Sequence, residues 1–215
     1  MPEPHRLIAM GEQLHGRYTI EDAIGEGGQA CIFKAHDAIT GTTVVIKQLR
    51  ADPASVDYVA QVARFQRAAS IHVPHPLVVN PIDSFEERGR FIVYPWIDGR
   101  ELGRLPLPMT KEEVVAIGRS LCEILDAVHR AGIIHRDIKP ANIIVDAQGT
   151  PHLIDFGIAK LSGVETLTPA GSAVGTPMHI APEQLRGEPV DGRADLCALG
   201  HALYLLLTGD SAPGR

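Results

Sequence analysis

His135-Arg136-Asp137-Ile138-Lys139-Pro140-Ala141-Asn142-Ile143, followed by Asp155-Phe156-Gly157, is the stretch on which the reading of this chain turns. It supplies two carboxylates, an ammonium and an amide. Moving the terminal phosphoryl of a magnesium-bound triphosphate to a hydroxyl calls for this set. Oxygen ligands hold a hard divalent ion, a cation faces the phosphate and a carboxylate receives the proton. His135 could be taken for a general base or a metal ligand, but it reads better as a residue of the core.

Working outward, Ile143–Val145 and His152–Ile154 form a hairpin-like pair around the Asp146–Gly149 turn. Upstream, Thr110 with Glu113 makes a capping box. Val114, Ile117, Leu121, Leu125 and Val128 then line one face of a helix that runs to Gly132. Downstream, residues 158–180 read as a long loop and Asp195–Leu207 as a strongly apolar helix. The first part of the chain has a different character. Residues 18–50 alternate around Ile20, Ile32 and Val44–Ile46, which predicts three strands with turns at Gly25–Gly28 and Thr40–Gly41. A helix is expected from Asp52-Pro53 onward, with Val56, Val59, Val62, Ala63 and Phe65 at helical spacing, ending before Pro74. Two short strands are expected near Val78–Pro81 and Arg90–Tyr94. The joint between the two parts falls near Trp96–Gly99.

In this order and spacing, from residue 16 to residue 213, the motifs resemble the catalytic domain of the bacterial Hanks-type (eukaryotic-like) serine/threonine protein kinases. The resemblance implies an α+β, two-lobed protein-kinase-like fold. Residues 1–17 would be a lead. Residues 18–97 would form an N-lobe of small antiparallel sheet plus one helix, and 98–215 a mainly helical C-lobe without its last helices. It also implies transfer of the γ-phosphoryl of ATP to protein serine or threonine. The cofactors would be ATP and Mg2+, with Mn2+ as the alternative ion.

Residue roles follow from the same resemblance. Asp137 would accept the hydroxyl proton, Lys139 neutralise the γ-phosphoryl, and Asn142 and Asp155 hold magnesium. Ile24, Gly25, Glu26, Gly27, Gly28 and Ile32 would form the glycine loop over the phosphates and adenine, with Ala30 in place of its third glycine. Lys47, in Val44-Val45-Ile46-Lys47, would reach the α- and β-phosphates, with Val45 narrowing the adenine slot. Tyr94 would guard the back pocket, while the Pro95 carbonyl and Ile97 amide would recognise adenine. Arg136 would dock a phosphorylated activation loop. Thr166 and Thr168 are the candidate phosphorylation sites, and Thr176 would touch the catalytic aspartate. Asp195 matches a buried aspartate that pins the catalytic-loop backbone.

One departure matters. Such kinases pair the strand lysine with a glutamate on the N-lobe helix, expected here at Ala68 or Gln66, and no acidic residue occurs between Asp57 and Asp83. A weakly active or dead kinase serving as a nucleotide-binding scaffold is therefore the alternative. A small-molecule phosphotransferase is a second rival, opposed by the peptide-docking segment Gly175–Glu183. The chain also stops soon after the Asp195 helix, which reads as a fragment or an incomplete lobe with the Leu203–Leu207 face partly uncovered.

The bulk properties exclude other classes. With 215 residues, 45% hydrophobic and a formal charge of −6, the chain is an ordinary globular one with no electrostatic pull toward nucleic acid. Three scattered cysteines suit reduced thiols in the cytoplasm. Neither the N-terminus nor Leu196–Thr208 suits a membrane span. The partners expected are a Ser/Thr-containing protein substrate and a second copy of the chain, through self-association or autophosphorylation.

Overall fold

A computed structural model describes residues 8–26, 30–156, 181–186 and 188–210. The chain divides into two compact units. One comprises the residues up to His72 together with Asn80–Trp96, the other Val73–Val79 and Ile97 onward.

The first unit is an antiparallel sheet with one helix. Its strands are β1 (Gln13–Leu14), β2 (Tyr18–Glu26), β3 (Ala30–Asp37), β4 (Thr42–Leu49), β5 (Asp83–Glu86) and β6 (Arg90–Pro95), in the order β1-β2-β3-β4-β6-β5. Alternation sorts the side chains. Along β4, Val44, Ile46 and Gln48 are buried, while Thr43, Val45 and Lys47 turn to the opposite face. Val44 and Ile46 join Leu14, Tyr18, Ile20, Phe33, Ala35, Phe91 and Val93 in one core cluster. At one end of the sheet, Asp37 is fully buried and accepts both Nε–H and Nη2–H of Arg17 at 2.7 Å.

The helix α1 (Tyr58–Ala69) begins later than the expected Asp52-Pro53 and buries no residue. Asp52 explains the delay. Its Oδ1 accepts the Ala54 N–H and its carbonyl the Ser55 N–H, a local turn that competes with helix. Val56, expected within the helix, precedes it and is 99% exposed.

The expected strand at Val78–Pro81 does not form. Val78 makes a lone parallel bridge to Leu153, and the strand lies further on, at β5. Leu153 N–H donates to Leu77 O at 2.8 Å, and Val79 N–H donates to Leu153 O at 2.9 Å. These bonds carry Val73–Val79, read from sequence as N-lobe, into the second unit.

That unit begins with β7 (Gly99–Glu101), which pairs with β8 (Ile143–Asp146), which pairs in turn with β9 (Pro151–Leu153). Gly99 is required by close approach, since a Cβ there would stand 2.4 Å from Val145 O. The long helix α2 (Lys111–Arg130) starts at the expected capping box. Thr110 Oγ1 accepts from Glu113 N–H, and the Glu113 carboxylate accepts from Thr110 N–H. The Thr110 hydroxyl also donates to the Glu113 carboxylate at 2.7 Å, and this bond first, with the one from Thr110 N–H second, holds the Glu113 carboxyl below its usual range. The short α3 (Pro182–Leu185) and the apolar α4 (Arg193–Thr208) follow. Val114, Ile117, Leu121, Ile124, Leu125 and Val128 of α2 are buried, as are Ala198, Leu199, Ala202 and Leu206 of α4. On the other side of α4, Leu196, Tyr204 and Leu207 are exposed.

Candidate active site

In the second unit the segment from α2 to β8 carries most of the quoted motif. Asp195, in the first turn of α4, is 1% exposed and accepts from two consecutive amides of that segment. His135 N–H reaches its Oδ2 at 2.9 Å and Arg136 N–H its Oδ1 at 2.7 Å. This is the pinning that the resemblance implied for Asp195. Arg136 is thereby held in the left-handed region, φ 65°, where a residue other than glycine carries strain of about 1–3 kcal/mol.

His135 is fully buried. Its Nε2 lies 3.3 Å from Ile154 O and donates to that carbonyl, so its Nδ1 can accept the Asp137 N–H at 3.3 Å. Its ring sits 5.0 Å from that of Phe156. Burial above all keeps this imidazole's pKa below the ordinary value. A neutral ring with both nitrogens committed is a core residue, as the sequence suggested.

Asp137 is the centre of a compact polar cluster. Its Oδ2 accepts from Lys139 Nζ and from Asn142 Nδ2, each at 2.9 Å. Asn142 Nδ2 also donates to the Asp137 carbonyl at 2.8 Å. Both amide hydrogens of Asn142 are thus spent on Asp137, which leaves its Oδ1 as the acceptor of that side chain. Asn142 is itself buried, and its carbonyl accepts the Ile154 N–H at 3.0 Å. Ile154 precedes Asp155, which stands in the left-handed region at φ 52°. Among the described residues, no three His, Cys, Asp or Glu side chains gather as a self-sufficient metal centre. The donor set of Asn142 and Asp155 is hard oxygen, and it fits magnesium as a partial shell completed by phosphate.

The remaining candidates lie mostly in the first unit. Lys47 stands opposite Ile32 on one neighbouring strand and Ile92 on the other, while Val45 stands opposite Lys34 and Tyr94. Direct cross-strand partners share a face, so Ile32, Val45, Lys47 and Tyr94 lie together on the side of the sheet away from the core cluster. Gly25 pairs with Ile32 at the end of β2, next to Ile24 and Glu26. The Glu26 carboxylate meets Arg50, just beyond β4. Pro95 ends β6, and Ile97 belongs to the second unit. Gly27 and Gly28 of the glycine loop, and Thr166, Thr168 and Thr176, fall outside the described residues.

Sequence reasoning missed His129. From the last turn of α2 its Nε2 donates to Asp195 Oδ2 at 2.8 Å. The only signal was a histidine at the end of a helix, which the capping preference for cations explains equally well. No described helix is long and apolar enough to cross a membrane.

Comparison with known proteins supplies the context. Residues 18–213 match the protein kinase domain family. A probable serine/threonine-protein kinase of Streptomyces coelicolor is 40% identical over 223 residues, which cover 97% of this chain and 31% of that protein. The probable serine/threonine-protein kinase PknB of Bifidobacterium longum is 38% identical over 211 residues, covering 90% and 30%. The chain therefore spans about a third of the length of these relatives. A solved structure described as the apo form of PpkA-294 is similar with a TM-score of 0.79 and 22% identity, over 96% of this chain and 80% of that one. At that identity the likeness speaks for the fold.

Proposed function

Because the chain belongs to the protein kinase domain family, we propose that it transfers the γ-phosphoryl of ATP to serine or threonine hydroxyls of a protein. The observation that carries this is the Asp137 carboxylate gripped by Lys139 and Asn142. Held this way it can accept the proton of an approaching hydroxyl, while Lys139 lies close enough to share its cation with a transferring phosphoryl. Asn142 Oδ1 and Asp155 would hold magnesium, which neutralises developing charge on the phosphate oxygens. Lys47 and Val45, with Ile24, Gly25, Glu26 and Ile32, would receive the phosphates and adenine. Gly27 and Gly28 would complete that loop, and Pro95 and Ile97 would offer the adenine its carbonyl and amide.

The reading extends to regulation. Arg136 has a buried Nε with no hydrogen-bond partner among the described residues, which suits a phosphate on Thr166 or Thr168 added by a second copy of the chain. The free cysteines Cys31, Cys122 and Cys197 suit the cytoplasm. Incubation with radiolabelled ATP and a mixed protein acceptor is the test. Label on serine and threonine that vanishes on chelation of the divalent ion is the expected result. A parent chain that binds ATP but transfers nothing would overturn the reading.

A second reading rests on α1, which contains no carboxylate from Tyr58 to Ala69. A nucleotide-binding scaffold of low turnover would look like this. Ala68 is half-buried and Gln66 exposed, so Ala68→Glu is expected to raise turnover more, by up to about 100-fold if lysine misplacement is the defect. Initial rates of both variants decide it: no gain from either, with ATP still bound, favours the scaffold.

A further inference from the structure

We propose that Lys34 is a positioning residue for base recognition, acting through the ring of Trp96 and favouring ATP over GTP; the inference rests on the phosphotransferase reading above. The Pro95 carbonyl and the Ile97 amide, offered there to adenine, sit on the two peptide planes that meet at the Trp96 Cα. Each plane is rigid, so the angle between carbonyl and amide is set by φ and ψ of Trp96 alone. Whatever holds the Trp96 side chain therefore steadies the pair. Adenine needs both groups at once, the carbonyl for its exocyclic amino group and the amide for the ring nitrogen beside it. Guanine carries an oxygen where that amino group stands, and meets the carbonyl as acceptor against acceptor.

The Trp96 side chain is held from β3. Lys34 Nζ lies over its ring, 5.4 Å from the centroid, within the range at which an ammonium is drawn to an indole face. Lys34 stands opposite Val45, and Val45 opposite Tyr94, on the side of the sheet away from the core cluster. Trp96 follows Tyr94 by two residues, just past Val44 and Pro95, the last pair of β4 with β6. The same ammonium is 3.3 Å from Glu21 Oε2. Glu21 is the extra residue of a bulge, left between the pairs Ile20 with Ala35 and Asp22 with Lys34. Such a residue has its side chain re-aimed, here toward Lys34. Carboxylate and indole thus share one cation, which gives the flexible lysine stem two attachments. Trp96 is the last residue of the first unit, so all three groups belong to that unit. The Lys34 and Glu21 side chains are 36% and 39% exposed, and exchange at 34 leaves the core cluster untouched.

Two variants test this: Lys34→Met, which keeps a long stem without the charge, and Lys34→Arg, which keeps the cation. Trp96 is the only tryptophan of the chain, so its fluorescence anisotropy reads the motion of the ring whether or not the protein turns over. Anisotropy is expected to fall in the methionine protein and to stay parental in the arginine protein. In calorimetric titrations, affinity for magnesium ATP should fall about threefold in Lys34→Met while the weaker affinity for magnesium GTP holds, and arginine should restore the difference. In a Trp96→Leu background, Lys34→Met should cost nothing further, because the two side chains act as one. Parental anisotropy or parental ATP affinity in Lys34→Met overturns the inference. A loss that persists in Trp96→Leu does the same, since the ammonium would then meet the nucleotide itself. A parent that binds ATP but transfers no phosphate counts against the proposed function alone, and the titrations still decide the part played by Lys34. One that binds neither nucleotide sinks both.

Discussion

Exchanging Asp137 for asparagine is expected to slow phosphoryl transfer by roughly 10²–10⁴-fold while leaving ATP affinity nearly unchanged. The carboxylate has two tasks, to take the hydroxyl proton and to hold Lys139 and Asn142. An amide cannot take the hydroxyl proton, and its NH2 group would confront either Lys139 or the Nδ2 of Asn142, both of which now donate to Oδ2 at 2.9 Å. If the new amide turns its oxygen to those donors, the local frame survives and only the proton acceptor is lost. Steady-state transfer from radiolabelled ATP, set beside nucleotide titration of the same protein, separates the two. Unchanged transfer in Asp137→Asn would remove Asp137 from the chemistry.

Asp37→Ala is expected to lower the melting temperature by on the order of 10 °C, because it empties a buried site and takes from the half-buried Arg17 its main partner. Asp37 accepts from Arg17 twice at 2.7 Å, from Thr40 Oγ1 at 2.7 Å and from Ile39 N–H at 3.0 Å. Arg17 reaches on to Asp83, which also accepts the Tyr18 hydroxyl at 2.6 Å. Burial first, and that bond second, push the Tyr18 pKa far above the ordinary phenol range. The hydrogen bonds from the Arg17 side chain, more than any other cause, hold the Asp37 carboxyl far below the usual carboxylate range. A depressed carboxylate stabilises the folded state fully above its unfolded value, about pH 4. That contribution is lost as pH falls through the folded value. Thermal melts from pH 7 down to pH 2 should therefore show an acid limb that is shallower in Asp37→Asn than in the parent. Parallel limbs would assign the acid sensitivity to other groups.

Much of this was legible from sequence because it rests on local rules. The capping box at Thr110 and Glu113, the apolar face of α2 and the alternation of β3 and β4 are short-range patterns, and each appears where those patterns put it. Asp137, Lys139 and Asn142, which the resemblance singled out, stand together because a short helical turn at Pro140–Asn142 brings the amide back to the carboxylate. What escaped was long-range or competitive. Val78 and Val79 look like strand residues, yet Pro76 and Pro81 bracket them, and they bond to β9. The start of α1 was lost to the side chain of Asp52, a contest that apolar spacing does not register. His129 lies 66 positions from Asp195, so nothing local announces their bond.

The strap Val73–Val79 has a consequence for how this molecule can be divided. Because it lies between two stretches of the first unit, the polypeptide passes from one unit to the other three times, after His72, Val79 and Trp96. Cleavage after Trp96 would leave the strap on the amino-terminal piece, still carrying the Leu77 carbonyl and the Val79 amide that Leu153 engages. Two such pieces, made separately, would meet through a β-addition of a few residues and reassemble by complementation.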